Sequence, residues 1–393
     1  MGKHYFFYVI FAFFVFANFT TNVTAYTIPT LNSDNKDSIY TELSENVNVT
    51  VNVEKELFPV IAKLLSEGDE HSEEKIQYTT GLYYDEVSKR IIFPSSGSSH
   101  LSLPHLVKWN IQNKNNDSIR VSITSEIPEW TQPVISTVYI GANENKKITQ
   151  TPFGIQLLNN HSIIPSIILL RVKIGDKIIF EETRNLKIRP ADDMVWSLHT
   201  PWDTESLIAA WVTPNDEIVE QILSVAKERL FNRSLAGYGS SNLISEIRAI
   251  FDVVRNSKVS YVDSHMSFGQ VGFTQRVRLP RESIYKKSAN CIDGAVLFAS
   301  LFENIGLEPL IILIPGHAFV GVKLAPNANE TLFIETTMVG RNIWESILTL
   351  TKTFDAAVNK GNEKYNNAIR TNPSEVRIID IKNARTMGIY PLW

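Results

Sequence analysis

The chain has 393 residues, a formal net charge of −4, 44% hydrophobic and 20% charged residues, and one Cys. That apolar fraction excludes a mainly disordered chain, and the length fits two or three domains. The near-balanced charge argues against a nucleic-acid binder, and the absence of Cys/His runs with ligand spacing excludes a structural zinc site.

After Lys3-His4 come thirteen apolar residues, Tyr5 to Ala17, six of them Phe and two Tyr. The run is shorter than the roughly 20 residues of a membrane span and has the length of a signal-peptide core. Val23-Thr24-Ala25 supplies small residues where a signal peptidase reads, so cleavage is expected after Ala25. Residues 1–25 are then a signal peptide and the protein is exported: secreted, periplasmic or cell-surface. Retention of the segment as a membrane anchor is the rival. In an oxidising compartment the single Cys291 has no partner within the chain. It is a buried inert thiol, half of an intermolecular bridge, or a reactive nucleophile.

Residues 26–50 are polar, rich in Asn, Ser and Thr, and read as a linker. Val53 to Glu67 has helical spacing, with Leu57, Ile61, Leu64 and Leu65 on one face and Pro59 in the first turn. Together, residues 26–100 are expected to be linker plus an N-terminal helical segment. They either occlude a site as a pro-segment or tether the next domain. From 101 the pattern changes to short alternating runs. Val107–Ile111, Ile119–Ile123, Val134–Ile140, Ile167–Ile174, Ile178–Phe180 and Leu186–Ile188 are separated by turn clusters such as Asn113 to Asp117 and Gly175-Asp176. Such spacing over 101–192 predicts an immunoglobulin-like β-sandwich with no Cys pair in its core. Beyond 193 the pattern turns helical: Ile218, Ile222, Val225 and Leu230 share one face, and Ile247, Ile250, Phe251 and Val254 another.

Residues 288–337 carry the chemistry. Asn290 is a good N-cap, which makes Cys291 the first residue of a helix. Asp293, Ser300 and Asn304 form one narrow polar stripe on an otherwise apolar run, so the helix is expected to be buried on most sides, and Gly306 suits its C′ position. A Cys at a helix N-terminus is biased toward the thiolate, the nucleophilic form. Leu310–Ile314 reads as a strand, Pro315-Gly316 as a break, and His317–Leu324 and Thr331–Thr337 as two further strands. If that hairpin is symmetric about Pro326, His317 lies opposite Glu335. A carboxylate on the imidazole orients it and fixes its tautomer, and the other ring nitrogen can take a thiol proton. Singly, His317 is an ordinary strand histidine, Glu335 a strand-end carboxylate and Asp293 a helix-start acid. Together they are a Cys–His–carboxylate set in the order nucleophile, base, orienter.

Cys291-Ile292-Asp293, Gly306, His317-Ala318-Phe319 and Glu335-Thr336-Thr337 resemble the transglutaminase-like superfamily, the cysteine protease-like transglutaminase homologues. The motif covers about 50 residues. The resemblance extends to bacterial exported members in which a β-sandwich precedes the catalytic-type domain. It implies an α+β fold over 193–393, with a nucleophile-bearing helix packed on an antiparallel sheet. It also implies Cys291 as nucleophile, His317 as base and acid, and Glu335 as orienter. Glu335 stands where Asp is commoner, and Phe319 where Trp is frequent. The backbone N–H of Cys291 is the first expected oxyanion donor and Gln275 a possible second, while Asp293 is expected to brace the helix tip. Two readings follow. One is an exported thiol hydrolase or acyltransferase working on amide or peptide bonds through an acyl-thioester. Its substrate would be a protein or peptide, cell-wall peptides and Gln side chains included, and it needs no cofactor, no metal and no nucleic acid. The other is a non-catalytic surface binding or scaffold protein that keeps the fold.

Overall fold

The computed structural model describes residues 40–44, 46–67, 83–85, 90–92, 103–262, 268–339 and 353–392. The apolar run at 5–17 and the expected cleavage site after Ala25 lie outside them. Among the described residues no helix is long and apolar enough to cross a membrane.

The first strands come from the stretch that reads as a linker. Strand β1 (Tyr40–Ser44) pairs antiparallel with β2 (Val47–Val53), and β3 (Glu56–Leu57) leads into helix α1 (Pro59–Glu67). Val47, Val49 and Val51 of β2 are buried while the residues between them face outward. The Asn and Thr that make this segment look polar are simply the outer face of a period-2 strand. Of the polar linker expected over residues 26–50, the described part (40–44 and 46–50) is therefore corrected to strand, because β2 pairs with the next long strand along its whole length.

A hairpin of β4 (Tyr83–Asp85) and β5 (Arg90–Ile92) precedes β6 (Val107–Asn113), β7 (Ile119–Glu126), β8 (Val134–Ile140) and β9 (Asn145–Gln150). Then come β10 (Ile164–Ile174) and β11 (Lys177–Ile188), the latter one continuous strand where two short ones were expected. These strands form two sheets, β1-β2-β6-β9 and β3-β11-β10-β7-β8. Their inner faces share one core that includes Val49, Trp109, Ile123, Leu170 and Phe180. Trp109 meets Phe180 edge-on at 5.9 Å. Its Nε1–H donates to Gln150 Oε1, and Gln150 Nε2 donates to the Ile123 carbonyl of the facing sheet. The buried amide thus bridges the two layers and leaves few polar groups unpaired between them.

The second half begins with β12 (Asp193–Val195), α2 (Glu217–Lys227), α3 (Leu243–Asn256), β13 (Ser260–Tyr261) and β14 (Thr274–Arg276). It continues with α4 (Pro280–Tyr285), β15 (Ser288–Ala289), α5 (Cys291–Asn304), β16 (Pro309–Ile314), β17 (His317–Lys323) and β18 (Thr331–Ile334). It closes with α6 (Phe354–Thr371), β19 (Arg377–Asp380) and α7 (Ile381–Thr386). In α2 the buried stripe is Ile218, Val219, Ile222, Leu223 and Ala226, and Val225 is exposed instead of facing the core. A sheet of order β18-β17-β16-β19 carries α5 against β16 and β17, and α6 against β18. The whole is a mixed α and β structure of α+β type.

The segment from β3 to α1 belongs to both halves. Leu57 and Ala62 lie in the core between the two sheets, whereas Phe58, Val60, Ile61 and Leu64 lie in the core of the second half with Trp196, Leu207 and Phe298. This stapling makes residues 56–67 part of the folded body instead of a removable tether.

Helix α6 approaches β18 closely at Gly361. A Cβ there would sit 2.7 Å from the Phe333 carbonyl atoms and 2.9 Å from Ile334 N, all of them backbone. Gly→Ala within a helix normally gains about 1 kcal/mol. Here the sign reverses. Gly361→Ala is expected to lower the stability in urea titrations by about 1–3 kcal/mol, the usual cost of overpacking.

Candidate active site

Helix α5 starts at Cys291 because its N-terminus is doubly capped. Asn290 Oδ1 accepts from Asp293 N at 2.9 Å, and Asp293 Oδ2 accepts from Asn290 N at 3.0 Å. It ends before Gly306, whose φ of +77° is the left-handed conformation that glycine tolerates. The polar stripe is satisfied inside the protein. Ser300 Oγ donates to the Val296 carbonyl and accepts from Thr213 N, and Asn304 Nδ2 donates to the Pro214 carbonyl.

Asp293 is fully buried. Its Oδ1 accepts from Arg278 N at 2.8 Å, and its Oδ2 accepts from Arg278 Nη1 at 2.9 Å. Asp293 thus ties the chain after β14 to the helix tip. Burial pushes its carboxyl above the ordinary value, against the pull of the Arg278 and Asn290 hydrogen bonds. Gln275, three residues before Arg278, is buried on β14, and its Oε1 accepts from Trp196 Nε1 at 3.3 Å. That bond orients the amide with its oxygen toward Trp196.

Cys291 is also fully buried. Backbone hydrogen bonds from Ala318 and Ile292 reach its sulfur. Ala318 directly follows His317, so the helix tip meets β17 at the strand's first residues. The expectation that the helix N-terminus would favour the thiolate is overturned. Burial pushes the thiol up to about 12, with Glu335 and Asp293 adding to the rise against the backbone hydrogen bonds. Desolvation of a full charge outweighs the partial charges of one helix end.

His317 opens β17 after the turn at Pro315-Gly316, where Ile314 pairs with His317 and Gly316 has φ +69°. His317 Nε2 lies 2.8 Å from Glu335 Oε2. The pairing geometry differs from a hairpin symmetric about Pro326. Val320 pairs with Ile334 and Lys323 with Thr331, which centres the turn on Asn327, a residue with φ +57°. Strand β18 ends at Ile334, and Glu335 leads into a short 3-10 turn, Thr336–Val339. His317 and Glu335 are therefore diagonal neighbours, not facing ones, a separation that long side chains span.

Glu335 is buried and its carboxylate is saturated. Oε1 accepts from Thr337 N at 3.0 Å and Thr337 Oγ1 at 2.7 Å, and Oε2 meets His317 Nε2 and, at 2.7 Å, Lys364 Nζ. Burial opposes ionisation, but His317 and Lys364 overcome it and hold the carboxyl down at about 2. Its backbone N donates to the Ala357 carbonyl of α6. Gly294 in the first turn of α5 sits against the same turn, where a Cβ would be 3.0 Å from Thr336 Oγ1.

Cys291, His317 and Glu335 are thus brought to one corner, where α5, β17 and the turn after β18 meet. Sequence reasoning missed Lys364, whose Nζ lies 2.9 Å from His317 Nε2 as well as on Glu335. Its only signal is a charge beside the buried stripe Ala357, Gly361, Tyr365 and Ala368 of α6. A scan against protein-family models finds no match, and no curated protein matches the chain.

The depressed Glu335 carboxyl links folding to pH. Its folded value lies below the ordinary 4.5, so its contribution is fully present above about 4.5 and is lost as pH falls toward about 2. At 1.36 kcal/mol per pH unit, this one group is worth about 3 kcal/mol across that window. Urea stability measured from pH 6 to pH 2 is expected to fall less steeply in Glu335→Gln than in the parent chain.

Proposed function

We propose that the chain is an exported cysteine-nucleophile hydrolase or acyltransferase acting on amide or peptide bonds. Its catalytic half would be transglutaminase-like and would follow an immunoglobulin-like sandwich, as the resemblance around Cys291, His317 and Glu335 implies. The observation that carries the reading is the convergence of these three groups. The sulfur of Cys291 is hydrogen-bonded by the residue next to His317, and the His317 imidazole is 2.8 Å from a buried carboxylate.

In this reading Glu335 takes Nε2 and leaves Nδ1 of His317 to receive the thiol proton. Because the resting thiol is neutral, attack is coupled to proton transfer and does not start from a stored thiolate. Sγ bonds to the carbonyl carbon of a peptide or carboxamide while its proton passes to His317. His317 then protonates the amine as the C–N bond breaks, leaving an acyl-thioester on Cys291. Water or a second amine gives up a proton to His317 and displaces the thiol. The Cys291 backbone N–H and the Gln275 amide are the proposed oxyanion donors. Since Cys291 has no exposed surface, substrate entry requires the cover over the helix tip to open. Export by the segment 1–25 is part of the proposal, and a protein or peptide is the proposed substrate.

Full burial of Cys291 and its raised thiol value favour a second reading, a non-catalytic binding or scaffold protein in which the thiol is inert. The two separate on acyl transfer. With p-nitrophenyl acetate as acyl donor, intact-mass analysis is expected to find one acetyl group on Cys291, with turnover. Cys291→Ala should carry none, and His317→Ala should turn over about 10²–10⁴-fold more slowly, the usual range for losing a general base. A parent chain that carries no acetyl group on Cys291 and shows no turnover would establish the inert reading.

A further inference from the structure

Lys364 is a cation placed on the two groups that the proposed mechanism needs, and that mechanism gives it no task. We propose that Lys364 is a positioning residue that restrains His317: while its ammonium rests against Nε2, the imidazole is a poor acceptor for the Cys291 proton, and it becomes competent when the ammonium moves off the ring. This rests on the acyl-transfer reading of the same site.

Lys364 Nζ, His317 Nε2 and Glu335 Oε2 form a nearly equilateral triangle with sides of 2.9, 2.8 and 2.7 Å. Nε2 has a single in-plane position for a hydrogen or a lone pair. If the lone pair faces Lys364, the ring hydrogen sits on Nδ1, and no nitrogen is left to accept from the thiol. If Nε2–H faces Glu335, gaining a second proton creates an imidazolium 2.9 Å from an ammonium. A like charge at that range disfavours the charged ring. Both arrangements withhold the base, and a Glu335 orienter without the cation would do the opposite.

Among the described residues, the other groups around the ring do not supply this effect. From β17 comes the stacked Phe319, from the turn after β18 the acid Glu335, and from β16 the apolar Ile314. Along α6, Lys360 and Glu363 pair with each other at 2.9 Å. Release is physically accessible. The Lys364 side chain keeps 29% of its surface exposed, and a flexible four-carbon stem lets the head swing into water without moving the helix.

The test uses the full chain and the variants Lys364→Met, Lys364→Arg, His317→Ala and the double variant Lys364→Met/His317→Ala. Long-range 1H–15N spectra of histidine-labelled protein report the tautomer of His317. Intact-mass kinetics report iodoacetamide alkylation of Cys291. Lys364→Met is expected to bring the ring hydrogen to Nε2, facing Glu335. It should also speed alkylation at pH 7 about tenfold or more, and the double variant should lose that gain. Lys364→Arg, which keeps the charge, should behave as the parent does. A Cys291 alkylation rate unmoved in Lys364→Met would overturn the proposal. So would an equal gain in the double variant, which is the signature of a merely loosened fold. Failure of the acyl-transfer reading looks different: alkylation and acyl turnover of the parent would be indifferent to His317→Ala, whether or not Lys364→Met moves the ring.

Discussion

Glu335 is ionised and almost wholly out of water, and each of its oxygens is held by groups from elsewhere in the chain. A charge removed from water is tolerated only when partners replace the lost hydration. Here those partners are the imidazole that opens β17, the backbone and hydroxyl of Thr337, and the ammonium of Lys364 on α6. The carboxylate therefore dictates that a strand, a turn and a helix converge on one point. The turn that carries it also supports the first turn of α5 through the contact between Gly294 and Thr336. The position of Cys291 follows from the same constraint.

Two buried acids near the site end up on opposite sides of their ordinary values. Asp293 caps a helix and holds Arg278, but desolvation still dominates and its carboxyl is pushed up. Glu335 loses as much water, but His317 and Lys364 overcome the loss and push it down. Cys291, between them, has backbone donors from Ala318 and Ile292 on its sulfur, and burial keeps its thiol neutral. The negative charge at this corner thus rests on Glu335 and not on Cys291.

Much of the local structure was legible in the sequence because it is set by local rules. Asn290 and Gly306 mark both ends of α5, and the apolar run of β16 and the break at Pro315-Gly316 stand where they were expected. The strand at Val47–Val53 was not legible as one, since its outward Asn and Thr residues raise polarity while leaving the period intact. The hairpin register was also missed. It turns on Asn327 adopting a left-handed conformation, and a shift of the turn centre by one residue moves every facing pair by two.

The sequence by itself determined which residue types could do chemistry and in what order they occur: a Cys at a helix start, a His at a strand start and a carboxylate toward the end of the next strand. These follow from capping, periodicity and turn chemistry, which act over a few residues. Only the tertiary structure decided the charge state of those groups and their company. Burial depends on what packs from far along the chain, and it turned an expected thiolate into a neutral thiol. Lys364 reaches His317 from 47 residues away through the close seat of Gly361 on β18, a contact that no local pattern encodes.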